Sequence, residues 1–179
     1  MMDDKSIKKD TFTDSRDGNT YATIKLGTQT WMAENLNYEA KGSVYYENDE
    51  ANSAKYGRLY DWETAKQVCP VGWHLPKDEE WEELVNFVGA ETAGKKLKST
   101  NGWNGNGNGT DDFGFSSLPG GYGYSDDFFS NSGYGGYWWS ATGIDAYHAW
   151  LRNMCYFLEY VNRYDGSKSS LFSVRCVQD

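Results

Sequence analysis

From residue 94 onward the sequence loses helical periodicity, and this limits the available folds more than any other feature. The stretch "GKKLKSTNGWNGNGNGTDDFGFSSLPGGYGYSDDFFSNSGYGGYWWSAT" alternates glycine and asparagine turns with aromatic rings. Disordered segments are poor in aromatics, so the pattern reads as long ordered loops, and such loops commonly carry function. Eight Trp, fourteen Tyr, eight Phe and twenty Gly stand against a mean hydropathy of -0.77, so the core must lean on rings rather than aliphatic helix faces.

Upstream, two segments do carry a helical period. In "GRLYDWETAKQVCP", Leu59, Trp62, Ala65 and Cys69 share a face that Pro70 terminates. In "CPVGWHLPKDEEWEELVNF", Pro76 fits near a helix start, and Asp78, Glu79 and Glu80 occupy the first turn, where the helix dipole favours acids. Trp81, Leu84, Val85 and Val88 then form one buried stripe. The position of these acids explains them structurally and argues against catalytic roles for Glu79, Glu80, Glu82 or Glu83. Before the helices, Asp17-Gly18 supplies a turn. Tyr21, Thr23 and Lys25 alternate with Ala22, Ile24 and Leu26, which predicts a hairpin with a second strand near Thr30 to Met32. Residues 39–56 read as a loop with a short strand at Val44 to Tyr46. The last forty residues read as strands in "YWWSAT", "YHAWLRNMCYFLEYV" and "SLFSVRCV", with a turn at Asp165-Gly166.

The length of 179 residues suits one domain, taken as residues 12–179 after a polar tail at 1–11. A net charge of -9 argues against nucleic acid, whose phosphates need clustered Lys and Arg. No apolar run reaches the roughly 20 residues of a membrane span, so direct membrane insertion is not expected, and the first ten residues are charged rather than signal-like. No period of twenty to fifty residues repeats.

Chemical motifs are few. "WNGNGNGTDDFGF" sets Asn104, Asn106 and Asn108 at alternate places of a calcium-loop-like run, and Asp111 and Asp112 add oxygens, but Phe115 stands where a bidentate Glu belongs. Calcium is the one cofactor candidate, and the plain alternative is a run of Asn and Gly turns. With only His74 and His148, no zinc spacing appears, and no nucleophile motif is present. The three cysteines are Cys69, Cys155 and Cys176. In an oxidising compartment Cys69 and Cys176 would close a loop of about a hundred residues, and if reduced they are small buried thiols. Along residues 150–157, Trp150, Arg152, Met154 and Tyr156 alternate with Leu151, Asn153, Cys155 and Phe157, which fits either an exposed contact face or a strand buried on both sides.

Six segments, "TDSRDGNTYATIKLGTQTWMAENLNY", "KYGRLYDWETA", "CPVGWHLPKDEEWEEL", "GNGTDDFGFSSLPGG", "YWWSAT" and "FSVRCV", together resemble in order and spacing the Fibrobacter succinogenes major paralogous domain family. The resemblance implies an α+β branch of the C-type lectin-like fold, with two helices, a short antiparallel terminal sheet and a loop-rich ligand-binding half. It is akin to the formylglycine-generating enzyme and to variable proteins of diversity-generating retroelements. It implies Cys69 and Cys176 as the linking pair, with Trp73, His74 and Trp81 in the interior. Tyr45 and Ser53 stand where family members often carry a cysteine pair, and Lys77 replaces the usual helix-capping side chain.

The resemblance further implies an exported surface or secreted module, often part of a lipoprotein, with its signal segment outside this sequence. Such a module recognises protein or carbohydrate and adheres without chemistry. Contact candidates are Tyr147, Leu151, Asn153, Cys155, Phe157, Leu158, Tyr160, Asn162, Tyr164 and Asp165. The odd-numbered residues from 151 to 157 would face outward, while Trp150, Arg152 and Met154 face inward, so that Arg152 needs a buried acidic or carbonyl partner. The competing readings are oxidase chemistry by Cys155 and Cys176, as in the formylglycine-generating relatives, and a structural surface module without a ligand.

Overall fold

The computed structural model describes residues 7–179. In chain order, β1 (Lys8–Thr13), β2 (Thr20–Leu26) and β3 (Gln29–Met32) form an antiparallel meander. The predicted hairpin is thus present, but Lys8–Thr13 is a strand rather than the end of a polar tail; residues 1–6 lie outside the described residues. β1 is an edge strand exposed along nearly its whole length, so no apolar alternation marks it. The turn at Gly18 is held by the buried Asp14, which accepts from Arg16 Nη2 at 2.6 Å.

Residues 33–58 are mostly irregular. Val44 makes a single bridge to Leu59, Tyr46–Asn48 is a 3-10 turn where a strand was expected, and α1 (Ser53–Tyr56) closes the segment. Leu59 belongs to β4 (Leu59–Tyr60) and not to the first long helix, α2 (Trp62–Val68), which Asp61 caps by accepting from Thr64 N at 2.8 Å. β5 (Trp73–His74) leads into α3 (Asp78–Val88), whose Trp81, Leu84 and Val88 are buried as their spacing predicts. Lys77 offers no side-chain cap there. Glu80 reaches back to Lys77 N at 2.8 Å, and Thr142 Oγ1 accepts from Asp78 N at 3.0 Å, so two of the free N–H groups are still satisfied.

α4 (Ala93–Leu97) is a helix of five residues, too short to show a period in the sequence. After it come β6 (Gly120–Gly123), β7 (Phe129–Ser132), β8 (Gly135–Gly143), β9 (His148–Cys155), β10 (Asn162–Ser167), β11 (Phe172–Ser173) and β12 (Val177–Gln178). Asp165-Gly166 is not a turn: both residues lie inside β10, paired with Trp150 and Ala149 of β9.

The chain is therefore α+β, with two sheets in place of one short terminal sheet. A five-stranded sheet runs β1-β2-β3-β12-β5, so the last strand is clasped between the first meander and β5. A seven-stranded sheet runs β10-β9-β8-β11-β4, with β6 and β7 attached beside β8. Cys69 and Cys176 form a disulfide with Cα atoms 6.0 Å apart across 107 residues, which fastens the end of α2 to the chain just before β12. Among the described residues no helix is long and apolar enough to cross a membrane.

Rings dominate the interior. Trp31, Trp81, Trp138 and Phe115 sit between α3 and the sheets, with Trp31 and Trp81 centroids 4.7 Å apart. Their indoles are partnered: Trp81 Nε1 donates to Trp139 O at 3.3 Å, Trp138 Nε1 to Asn35 Oδ1 at 2.8 Å and Trp31 Nε1 to Gln29 Oε1 at 2.9 Å. A second cluster of Tyr60, Trp62, Val68, Trp139, Leu151 and Phe172 packs α2 against the seven-stranded sheet.

Candidate ligand-binding site

Strand β9 decides which face of the seven-stranded sheet is free. Its even-numbered residues Arg152 and Met154 point toward α3 and are buried. Arg152 Nη2 meets Asp78 Oδ1 at 2.8 Å and Asp78 O at 3.0 Å, and Arg163 Nε adds a bond to Asp78 Oδ2 at 2.8 Å. Burial pulls the Arg152 guanidinium below its ordinary value, and the Asp78 charge opposes that fall. One acid at the start of α3 therefore pins the helix to two adjacent strands, and Arg152 has the acidic partner its position requires.

The odd-numbered face is not the open surface expected of it. Leu151 and Asn153 are 3% and 4% exposed, and Asn162 across from Asn153 is 9% exposed, so these three candidates cannot themselves make broad contact with a ligand. Asn162 Nδ2 donates to Asn153 Oδ1 at 3.0 Å, and a layer of rings lies over Leu151. Tyr137 on β8, Tyr122 on β6 and Phe172 on β11 pack together, with Tyr122 and Tyr137 centroids 4.9 Å apart and Tyr137 stacked on Phe172 at 5.8 Å. Tyr124 continues the row, 5.4 Å from Tyr122.

These rings enclose an open cleft of about 340 Å³, walled by Tyr122, Tyr124, Tyr137 and Tyr164, with Leu151, Phe172 and Gly166 also lining it. Gly166 is required there: a Cβ on it would come within 2.7 Å of Leu151 Cδ2 and 2.9 Å of Phe172 Cε2. Tyr164 opposes Leu151 in the β9–β10 pairing, so strand alternation turns its ring to the cleft side. Asp165 alternates to the other face, opposite Trp150, and borders the cleft through its place in the strand. Burial raises the Tyr137 phenol above its usual value against the bond donated by Asn131 Nδ2 at 2.8 Å. Burial likewise raises Tyr124, with Tyr122 adding to the effect. Both hydroxyls stay protonated at neutral pH and can donate as well as accept.

The remaining contact candidates do not converge on this cleft. Tyr147 is 75% exposed just before β9 begins, whereas Phe157, Leu158 and Tyr160 lie in the loop beyond its other end, about 26 Å away along an eight-residue strand. Phe157 and Tyr134 flank Tyr156 there, at 5.0 and 5.3 Å between centroids. Cys155 is a half-buried free thiol, while Cys176 is committed to Cys69. His74, expected in the interior, is half-buried between two acids: Nδ1 meets Asp179 Oδ1 at 2.6 Å and Nε2 meets Glu80 Oε1 at 2.9 Å. Sequence reasoning missed Tyr122, Tyr124, Tyr137 and Phe172. For the three tyrosines the available signal was the repeated glycine-aromatic pattern of "GGYGY" and "GGYWW".

The residues offered for calcium lie in turns, where the side chains of Asn108 and Asp111 are engaged. Asn108 Oδ1 accepts from Trp103 N at 3.0 Å, Asp111 accepts from Ser116 N at 2.8 Å and from Ser116 Oγ at 2.6 Å, and Asn106 holds a φ of 60°. Asn104 bonds through its backbone to Gly133 O at 2.8 Å, and Asp112 donates its N–H to Lys96 O at 3.0 Å. Among the described residues no group of three or more His, Cys, Asp or Glu is arranged to hold a metal.

The family model described as the Fibrobacter succinogenes major domain matches residues 24–178. The chain belongs to this family. No curated protein and no solved structure matches it. The part of the chain matched to the Fibrobacter succinogenes major domain begins within β2 and takes in the disulfide and every residue of the tyrosine cleft, while β1 precedes it.

Proposed function

We propose that this domain is a non-catalytic recognition module that binds a carbohydrate in the tyrosine cleft. The observation that carries the reading is the cleft itself: four tyrosines from three separate strand regions around one open concavity. Ring faces stack on the apolar faces of sugar rings, and phenol hydroxyls bond their polar rims. The volume falls within the range of small-ligand sites. The disulfide supports export to the cell surface or beyond, since such bonds persist in oxidising compartments. The clasp of the last strand against the first meander, with two helices beside the sheets, supports a branch of the C-type lectin-like class. With Cys176 bonded to Cys69, Cys155 lacks the partner that oxidase chemistry would need, which supports a role without catalysis.

A glycan array with the wild-type domain and with Tyr124→Ala plus Tyr164→Ala tests the proposal, since both side chains are exposed and their loss leaves the core intact. The expected result is a defined set of bound glycans that the double variant loses. An array without hits, alongside a protein captured equally by both forms, sinks the carbohydrate reading.

A further inference from the structure

A second cavity, of about 670 Å³, opens between β2, the chain following β3, α1 and the turn at residues 114–118. Its wall carries Lys9, Lys55 and Arg175 against one acid, Glu34, in a chain whose net charge is -9. Glu34 is already engaged, accepting from Ala22 N at 2.6 Å.

Arg175 is the unusual member of this set. It is 1% exposed, and among the described residues no carboxylate lies within ion-pair distance of it. Its Nε and Nη2 donate to Asn35 Oδ1 at 3.3 and 3.2 Å, Nη1 donates to Phe115 O, and the guanidinium lies 4.3 Å from the Phe115 ring centre. Asn35 Oδ1 also accepts the Trp138 indole at 2.8 Å, so one neutral oxygen serves three donors. A guanidinium has five N–H groups, and three are placed here. Burial pulls the Arg175 pKa down to about 9, against the opposing pull of the Glu34 and Asp111 charges.

Lys98 shows the contrast. It too is buried without a carboxylate, but carbonyls of Cys155 and Leu158 at 3.0 Å and Tyr156 at 3.5 Å surround its Nζ.

We infer that this cavity is a second binding site, for an organic carboxylate. The two Arg175 N–H groups left without a partner, one on Nη1 and one on Nη2, receive the carboxylate, the two exposed lysines attract it, and Ala22, Ala33 and Leu118 contact its apolar body. Carboxylate and phosphate both match an arginine fork. A doubly charged phosphate would bring a second negative charge into a wall that already holds Glu34, so the single charge is favoured.

Thermal melting at constant ionic strength, with benzoate, inorganic phosphate and chloride as probes, tests the site. Benzoate is expected to raise the midpoint saturably, phosphate and chloride are not, and Lys9→Glu with Lys55→Glu is expected to weaken the benzoate response at least tenfold. Arg175→Gln is expected to abolish it; should that variant fail to fold, the lysine pair carries the test. Tyr164→Ala leaves the response unchanged, which separates this site from the tyrosine cleft. No saturable benzoate response, a phosphate response of equal size, or a response undiminished in the lysine pair would each overturn the inference.

Discussion

Trp31, Trp81 and Trp138 are fully buried, with successive centroids 4.7 and 6.5 Å apart, whereas Tyr122, Tyr124 and Tyr137 pack as closely, at 4.9 and 5.4 Å, along the wall of an open cleft. Both groups are aromatic and they lie on opposite faces of the seven-stranded sheet, so ring content alone does not separate core from surface. Polar tips and neighbours do. The indoles find acceptors inside, at Gln29, Trp139 and Asn35, so their burial leaves no donor stranded. On the even-numbered face, α3 covers the tryptophans and Asp78 locks the cover in place. On the other face α2 covers only the Trp139 end, and the tyrosine end remains open.

The largest effect that should separate the two regions is on the closed side. Trp81→Ala is expected to cost about 3–5 kcal/mol in denaturant unfolding, as for other buried aromatics, and to lower binding only in proportion to the unfolded fraction. The disulfide serves the frame and not the cleft. Cys69→Ser with Cys176→Ser should therefore lose about 2–5 kcal/mol, and reductant should destabilise the wild type but not this variant. Gly166→Ala sharpens the comparison at the boundary, because its methyl would press on Leu151 and Phe172. A cost of about 1 kcal/mol is expected from overpacking, together with a loss of glycan affinity out of proportion to it, read by paired melting and titration.

The smallest effect is a pH dependence in the frame. Burial alone would depress the His74 pKa, but the bonds to Asp179 and Glu80 outweigh it and raise the value above that of an ordinary histidine. The native state thus holds this proton more tightly than the unfolded chain. The resulting stability is present in full below about pH 6.5 and is lost as pH rises through the raised folded value. His74→Gln should flatten that slope in melting curves taken across neutral pH, while glycan affinity at a fixed pH stays unchanged.

The frame was the legible part of the sequence. Trp81, Leu84 and Val88 repeat at helical spacing behind a proline and three acids, so local rules sufficed for α3, and the alternation in β2 marks a strand although Tyr21 and Thr23 are buried and Ala22 is exposed. β1 escaped because an edge strand exposed on both faces has no apolar alternation to read. Asp165-Gly166 looks like a turn, yet Gly166 is a strand residue whose missing side chain leaves room for Leu151 and Phe172. The cleft escaped for a different reason. Tyr122, Tyr137, Tyr164 and Phe172 come from strands far apart in sequence, and only the parallel pairing of β6 and β11 with β8 brings three of them together. The contact candidates taken from one contiguous segment therefore split between the cleft and the two ends of β9.

The most direct measurement is calorimetric titration of the best array glycan into wild type and Tyr164→Ala, with a thermal melt of each. The account predicts an affinity loss of at least tenfold with stability held within about 0.5 kcal/mol, as for an exposed side chain. Equal affinity in the two proteins, or a loss that merely follows a fall in melting temperature, would contradict it.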